Sequence, residues 1–142
     1  MNSMHLSFNA IIQNETFART AGIAFLLPYN PSMDEVMEIK TILAEAITNC
    51  IIHGYPNQPE KMIDLTIEVA DKKNITITVE DRGCGIDDLQ LALQPMMTTR
   101  PDLERSGMGM TIMQTFSDDF KIESIKGKGT KVILRKNLQI HE

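Results

Sequence analysis

The chain has no apolar run approaching the ~20 residues needed to cross a bilayer. Its one compact apolar stretch, Ala21 to Leu27, lacks a cationic flank and a small-residue cleavage site. A membrane span and secretion are therefore not expected, and the expected location is the cytoplasm. Cysteine is scarce, with only Cys50 and Cys84. Both read as free thiols, because a reducing compartment does not sustain a lasting disulfide. Cys50 and His53 stand at i,i+3 spacing, yet no second Cys/His pair completes a tetrahedral zinc site. Positive charge is also in deficit. Fourteen Lys and Arg against nineteen Asp and Glu give a net charge of −5, which repels phosphate backbones and argues against nucleic acid as a partner. The one dense basic stretch, Lys126, Lys128, Lys131, Arg135 and Lys136, reads as a solvated strand edge. Missing too are the G-x-x-x-x-G-K-[ST] loop, the G-x-G-x-x-G fingerprint, internal repeats and low-complexity segments.

What is present is globular. At 142 residues and 42% hydrophobic, the chain is expected to form one domain (1–142) that buries roughly 68–70% of its unfolded surface. Met4 to Phe8 alternates with the period of a half-buried strand. Asn14 stands as a helix N-cap before Phe17, Ala21, Ala24 and Phe25, and Pro28 stops that helix. Ser32 and Glu35 form a capping-box pattern ahead of Val36, Ile39, Ile42, Leu43, Ala46, Ile47 and Cys50, predicting a long helix to about His53 that ends at Gly54. Met62–Ala70 and Asn74–Glu80 alternate as a hairpin around Asp71-Lys72-Lys73. No period persists from Gly83 to Gly107, the mark of a functional loop. Gly109–Phe116 reads as a helix, and Phe120–Ile125 with Lys131–Leu134 as a closing hairpin. The order β-α-α-β-β-loop-α-β-β predicts an α+β two-layer sandwich with its helices on one face of a mixed, mostly antiparallel sheet.

Several constellations carry chemistry. E-A-I-T-N-C-I-I-H-G sets Glu45, Asn49 and His53 at successive i,i+4 positions, giving one helix face a carboxylate, an amide and an imidazole. Such a stripe faces either water or a ligand, since an unpartnered buried carboxylate is costly. An amide oxygen suits a hydrated hard cation such as Mg²⁺, and a carboxylate one turn away suits acceptance of a hydroxyl proton, the pairing phosphoryl transfer uses. Asp81-Arg82-Gly83-Cys84-Gly85 closes a strand. It reads as an ordinary Asp/Gly turn, or as an acceptor for an exocyclic amine with glycines that let a flat base approach. Ser106-Gly107-Met108-Gly109 opens a helix, where backbone N–H groups and the dipole favour an anion. Ten methionines, five of them at 96, 97, 108, 110 and 113, supply adaptable packing.

Taken in order, E-A-I-T-N, D-R-G-C-G, S-G-M-G-M and Gly129-Thr130 resemble the ordered motifs of the GHKL ATPase/kinase superfamily, which includes histidine-kinase catalytic domains. The M-H-L-S-F start, N-E-T-F-A-R, T-N-x-I-I-H-G-Y and R-P-D-L-E-R-S-G-M-G look like the anti-sigma F factor branch of spore-forming bacteria, and the likeness covers nearly the whole chain. It implies a Bergerat-type ATP-binding fold and a serine protein kinase that uses ATP and Mg²⁺ and yields ADP. It further implies a homodimer that holds sigma factor F inactive and phosphorylates a serine of an anti-anti-sigma factor. By position, Glu45 would be the general base, Asn49 the Mg²⁺ ligand, Asp81 the adenine-amine acceptor and Thr130 a second contact beside it. Gly83 and Gly85 would flank the base. His53 and Thr99 would belong to the nucleotide site. Ser106, Gly107, Met108 and Gly109 would hold phosphate, Arg105 would reach it from an ATP lid at about 86–106, and Arg19 would meet the protein partners. Cys84 departs from the small apolar residue of many relatives. Two other readings share these residues: a general-stress anti-sigma kinase of the same superfamily, and a nucleotide-gated binding module without phosphotransfer.

Overall fold

A computed structural model of the chain describes residues 1–85 and 109–139. Five strands, β1 (Asn2–Asn9), β2 (Met62–Ala70), β3 (Asn74–Asp81), β4 (Asp119–Ile125) and β5 (Gly129–Asn137), form one sheet in the order β1-β2-β3-β5-β4. Every ladder among them is antiparallel, so the described sheet has no parallel pair. The helices are α1 (Gln13–Leu26), α2 (Met33–Asn49) and α3 (Gly109–Phe116). No helix among the described residues is long and apolar enough to cross a membrane.

Alternation places the layers. Along β2, Ile63, Leu65, Ile67 and Val69 are buried while Asp64, Thr66 and Glu68 are not, and β3 repeats the pattern with Ile75, Ile77 and Val79. These side chains meet Ile39, Ile42, Leu43, Ala46 and Ile47 of α2 in one core. Gly22 lets α1 close on both layers, since a Cβ there would stand 3.0 Å from Ile67 and from Leu43.

Local signals hold where the sequence is explicit. Ser32 Oγ accepts from Glu35 N–H at 3.1 Å and Glu35 Oε1 accepts from Ser32 N–H at 2.8 Å, a complete capping box. Asp71 and Lys72 both adopt positive φ at the β2–β3 turn, the primed-turn geometry whose twist matches a hairpin. Asn14 is not the cap of α1: it lies inside the helix, and its amide donates to Asn9 C=O at 3.0 Å. The basic stretch is solvated at Lys126, Lys128 and Arg135 but is not a sheet edge, since β5 pairs on both sides, and Lys136 is buried, with Nζ donating to Glu38 Oε2 at 2.8 Å and to Phe116 C=O at 2.9 Å. The end of α2 differs as well. Cys50–Gly54 forms a π turn closed by Tyr55 N–H donating to Cys50 C=O at 2.9 Å.

Candidate functional site

The π turn, the end of β3 and the start of β5 converge on one carboxylate. Asp81 is the last residue of β3, and the inward alternation that buries Ile75, Ile77 and Val79 also buries it, at 5% exposure. Gly83 N–H donates to its Oδ1 at 2.9 Å, and Cys50 of the π turn and Thr130, its cross-strand partner on β5, lie beside it. Burial pushes the Asp81 carboxyl above its ordinary value; Gly83 N–H, Cys50 and Thr130 oppose the rise, and Glu80 nearby adds to it. Burial also raises the Cys50 thiol, with Asp81 adding to the shift, so Cys50 stays protonated and donates.

Backbone contact fixes the surrounding loop. Cys84 N–H donates to Gly54 C=O at 3.0 Å, Gly127 N–H donates to Cys84 C=O at 2.6 Å, and Arg82 N–H donates to the buried Tyr55 hydroxyl at 2.6 Å. A Cβ on Gly83 would stand 1.8 Å from Gly54 O, and one on Gly85, at φ +74°, would stand 2.3 Å from Ile125 O. The need for glycine at both positions thus arises from the chain packing on itself, whereas the sequence suggested room for a flat ligand. Gly54 presses on the carboxylate directly, its missing Cβ lying 2.6 Å from Asp81 Oδ2. Thr130 adds a hydroxyl contact to Ser124 Oγ at 2.9 Å.

Glu45 and Asn49 lie one turn apart on α2, both half-buried, and Asn49 directly precedes the thiol that meets Asp81. His53, also half-buried, sits inside the wider π turn, so its i,i+4 spacing no longer aligns it strictly with the other two. Gly109 begins α3, as the anion-site reading requires. Thr99, Arg105, Ser106, Gly107 and Met108, and the 86–106 lid, lie outside the described residues. Arg19 is elsewhere, half-buried on α1, with Nε 3.0 Å from Glu15 Oε2. Those two atoms are close but not aligned as a hydrogen bond. Cys50, Gly54 and Tyr55 were not singled out from the sequence as members of this site. Their signal was the unbroken T-N-C-I-I-H-G-Y run, in which a glycine and a buried tyrosine follow the polar stripe.

The comparisons with known proteins fit this geometry. The family model described as a histidine kinase-like ATPase domain matches residues 16–136. An anti-sigma F factor of Geobacillus kaustophilus is 48% identical over 137 residues, covering 96% of this chain and 93% of the relative. Those of Clostridium novyi (46% identical; 97% and 96% covered) and Bacillus subtilis (47%; 96% and 93%) are similar along the same length. Among solved structures, that of the RsbU and RsbW domains of Rv1364c from Mycobacterium tuberculosis superposes with a TM-score of 0.70 at 16% identity. It covers 97% of this chain, which spans 33% of the solved one. The histidine kinase domain of a blue-light-activated kinase from Erythrobacter litoralis gives 0.54 at 20% identity, with 73% and 45% covered. At those identities the two structures speak for the fold alone. With a family match over most of its length and close relatives along nearly all of it, the chain belongs to the anti-sigma F factor family of histidine kinase-like ATPases.

Proposed function

We propose that this protein binds ATP with Mg²⁺, transfers the γ-phosphoryl group to a serine of an anti-anti-sigma factor, and binds and inhibits sigma factor F. The single observation that carries the reading is the buried Asp81 carboxylate, which accepts from Gly83 N–H at 2.9 Å beside Cys50, the residue that follows Asn49. A carboxylate so held is an acceptor waiting for a donor, and the adenine amine is that donor. Thr130 lies beside it, and Gly83 and Gly85 shape the adjoining wall.

Beyond the π turn, Asn49 offers an amide oxygen of the kind a largely hydrated Mg²⁺ accepts in company with phosphates. Bound Mg²⁺ would neutralise charge developing on the transferred group. The phosphates would lie at the start of α3, at Gly109, with Ser106, Gly107 and Met108 before it, and with Arg105, Thr99 and His53 as further nucleotide contacts. Glu45 accepts the proton of the substrate serine as its oxygen bonds to the γ-phosphorus. The bond to the β-phosphate bridging oxygen breaks, and ADP and phosphoserine leave. Arg19, on α1 and apart from Asp81, belongs to the surface that meets the protein partners. Residues 1–142 work as one domain, paired in a homodimer.

Purified protein, radiolabelled ATP, Mg²⁺ and a candidate anti-anti-sigma domain test this reading directly. Label is expected on a serine of the domain, and a pull-down is expected to retain sigma F. Glu45→Gln is expected to reduce transfer at least 100-fold, within the roughly 10²–10⁴-fold contributed by a general base, while nucleotide binding persists. Transfer at the wild-type rate would remove Glu45 from the mechanism.

A further inference from the structure

We propose that Tyr55 is a positioning residue for adenine recognition: its hydroxyl pins the turn that aims the Asp81 carboxylate, and so helps set the preference for ATP over GTP. The inference rests on the reading of Asp81 as the adenine-amine acceptor. Asp81 Oδ1 accepts from Gly83 N–H at 2.9 Å, which closes a side-chain turn over Asp81, Arg82 and Gly83. Such a turn fixes a carboxylate only as firmly as its own backbone is held. Its middle N–H, that of Arg82, donates to Tyr55 Oη at 2.6 Å. One buried side chain therefore ties the turn from outside.

Tyr55 is itself anchored. Its N–H donates to Cys50 C=O at 2.9 Å, and its C=O accepts from Gln58 N–H at 3.1 Å. Its ring borders the same turn, since a Cβ on Gly83 would stand 3.0 Å from Tyr55 Cδ1. The preceding residue grips the next stretch of chain, with Gly54 C=O accepting from Cys84 N–H at 3.0 Å. Residues 54 and 55 thus hold 82–84 at two separate points, one through backbone and one through the phenol. The carbonyl is present whatever the sequence, whereas the hydroxyl is supplied by a side chain alone.

Base choice follows from the aim of the carboxylate. At the position of the adenine amine, guanine carries a carbonyl oxygen. A carboxylate held in line accepts from the amine and repels that oxygen. Once the Arg82 peptide is released, the carboxylate samples other directions and the amine contact weakens, while GTP, which never makes that contact, loses nothing. The preference narrows through ATP only. A general loss of packing would weaken both nucleotides together.

Tyr55→Phe keeps the ring and deletes one oxygen. Burial holds the Tyr55 phenol above its ordinary value, so the change alters no charge at neutral pH. ATP and GTP binding to the full chain are read by competition with a fluorescent ATP analogue, and the Arg82 amide by hydrogen exchange. Tyr55→Phe is expected to weaken ATP binding about five-fold, the worth of one hydrogen bond. GTP binding should not weaken, and exchange of the Arg82 amide should quicken. In an Asp81→Asn background the same change is expected to leave the ATP-to-GTP ratio where Asp81→Asn alone puts it, because a residue acting through that carboxylate has nothing left to aim. Equal weakening of ATP and GTP, a further shift of the ratio in the double variant, or an unchanged Arg82 exchange rate overturns the inference. Should Asp81→Asn keep the full preference for ATP, the adenine reading falls and takes this inference with it. Should Asp81→Asn lose the preference while Tyr55→Phe keeps it, only the role of Tyr55 falls.

Discussion

Gly54→Ala isolates the contact on which the candidate site turns. Gly54 is buried, ends the π turn and has no positive φ, so an alanine suits its backbone. The added Cβ would lie 2.6, 2.7 and 2.9 Å from Asp81 Oδ2, Cγ and Oδ1, well inside the 3.4 Å at which ordinary contact begins. Either the carboxylate or the turn must move. Asp81 is buried and accepts from Gly83 N–H at 2.9 Å, so its displacement stretches that bond. Hydrogen bonds to a charged group contribute about 1.5–3 kcal/mol each, and the helical preference of Ala over Gly returns up to about 1 kcal/mol. The expected net loss is about 0.5–3 kcal/mol, against a typical total of about 5–15 kcal/mol. Urea unfolding should show a lower midpoint at unchanged slope, and ATP affinity should fall at least ten-fold by calorimetry, about 1.4 kcal/mol or more. Gly127→Ala is the control: it introduces a Cβ into open space with nothing within 4 Å, and although its φ of +79° strains an alanine backbone there, it should leave ATP affinity intact. A Gly54→Ala protein with wild-type urea midpoint and ATP affinity would refute the view that this glycine sets the position of Asp81.

Two further outcomes follow from charges in the core. Because the folded Asp81 carboxyl titrates above its ordinary value, its ionised form weakens the fold at neutral pH. That cost is relieved as pH falls through the raised value, whereas the adenine contact proposed for Asp81 would be lost over the same interval. ADP affinity should therefore drop on acidification before the fold does, with a limb absent from Asp81→Asn; parallel loss of binding and fold, or an identical limb in the variant, would contradict this. Lys136→Met removes the donor to both Glu38 and Phe116 C=O and should cost about 1–3 kcal/mol in urea unfolding. Adding Glu38→Gln should recover part of it, and simple additivity of the two changes would argue against a coupled pair.

What the sequence revealed and what it hid divide along physical lines. Ser32 and Glu35 announce their helix because a capping box closes within four residues, and β2 and β3 announce themselves because a two-residue period survives any neighbour. Glu45, Asn49 and Asp81 stood out because polar groups in apolar surroundings require a reason. Strand order is different: β5 lies between β3 and β4, a pairing no local pattern encodes, and so Lys136 looked like an edge residue while serving as a buried ion-pair partner. Cys50 was hidden for another reason. A thiol at a core position of an amphipathic helix is indistinguishable from a small hydrophobe until its partner, 31 positions along the sequence, is brought beside it. Gly83 was legible as necessary but not as to why, since the group it makes room for is the carbonyl of Gly54.

The insertion of β5 also bears on biosynthesis. The cross-strand partner of Asp81, Thr130, arrives on the last of the described strands, while β3 and α2 leave the ribosome far earlier. A nascent chain carrying residues 1–85 holds Asp81, Cys50 and Gly83 on or near β3 but lacks β5, the other strand of the β3–β5 ladder. Ligand competence then comes with the final strand pairing, a non-local contact of the kind that forms late. Nascent chains that have not yet released β5 would therefore be poor nucleotide binders.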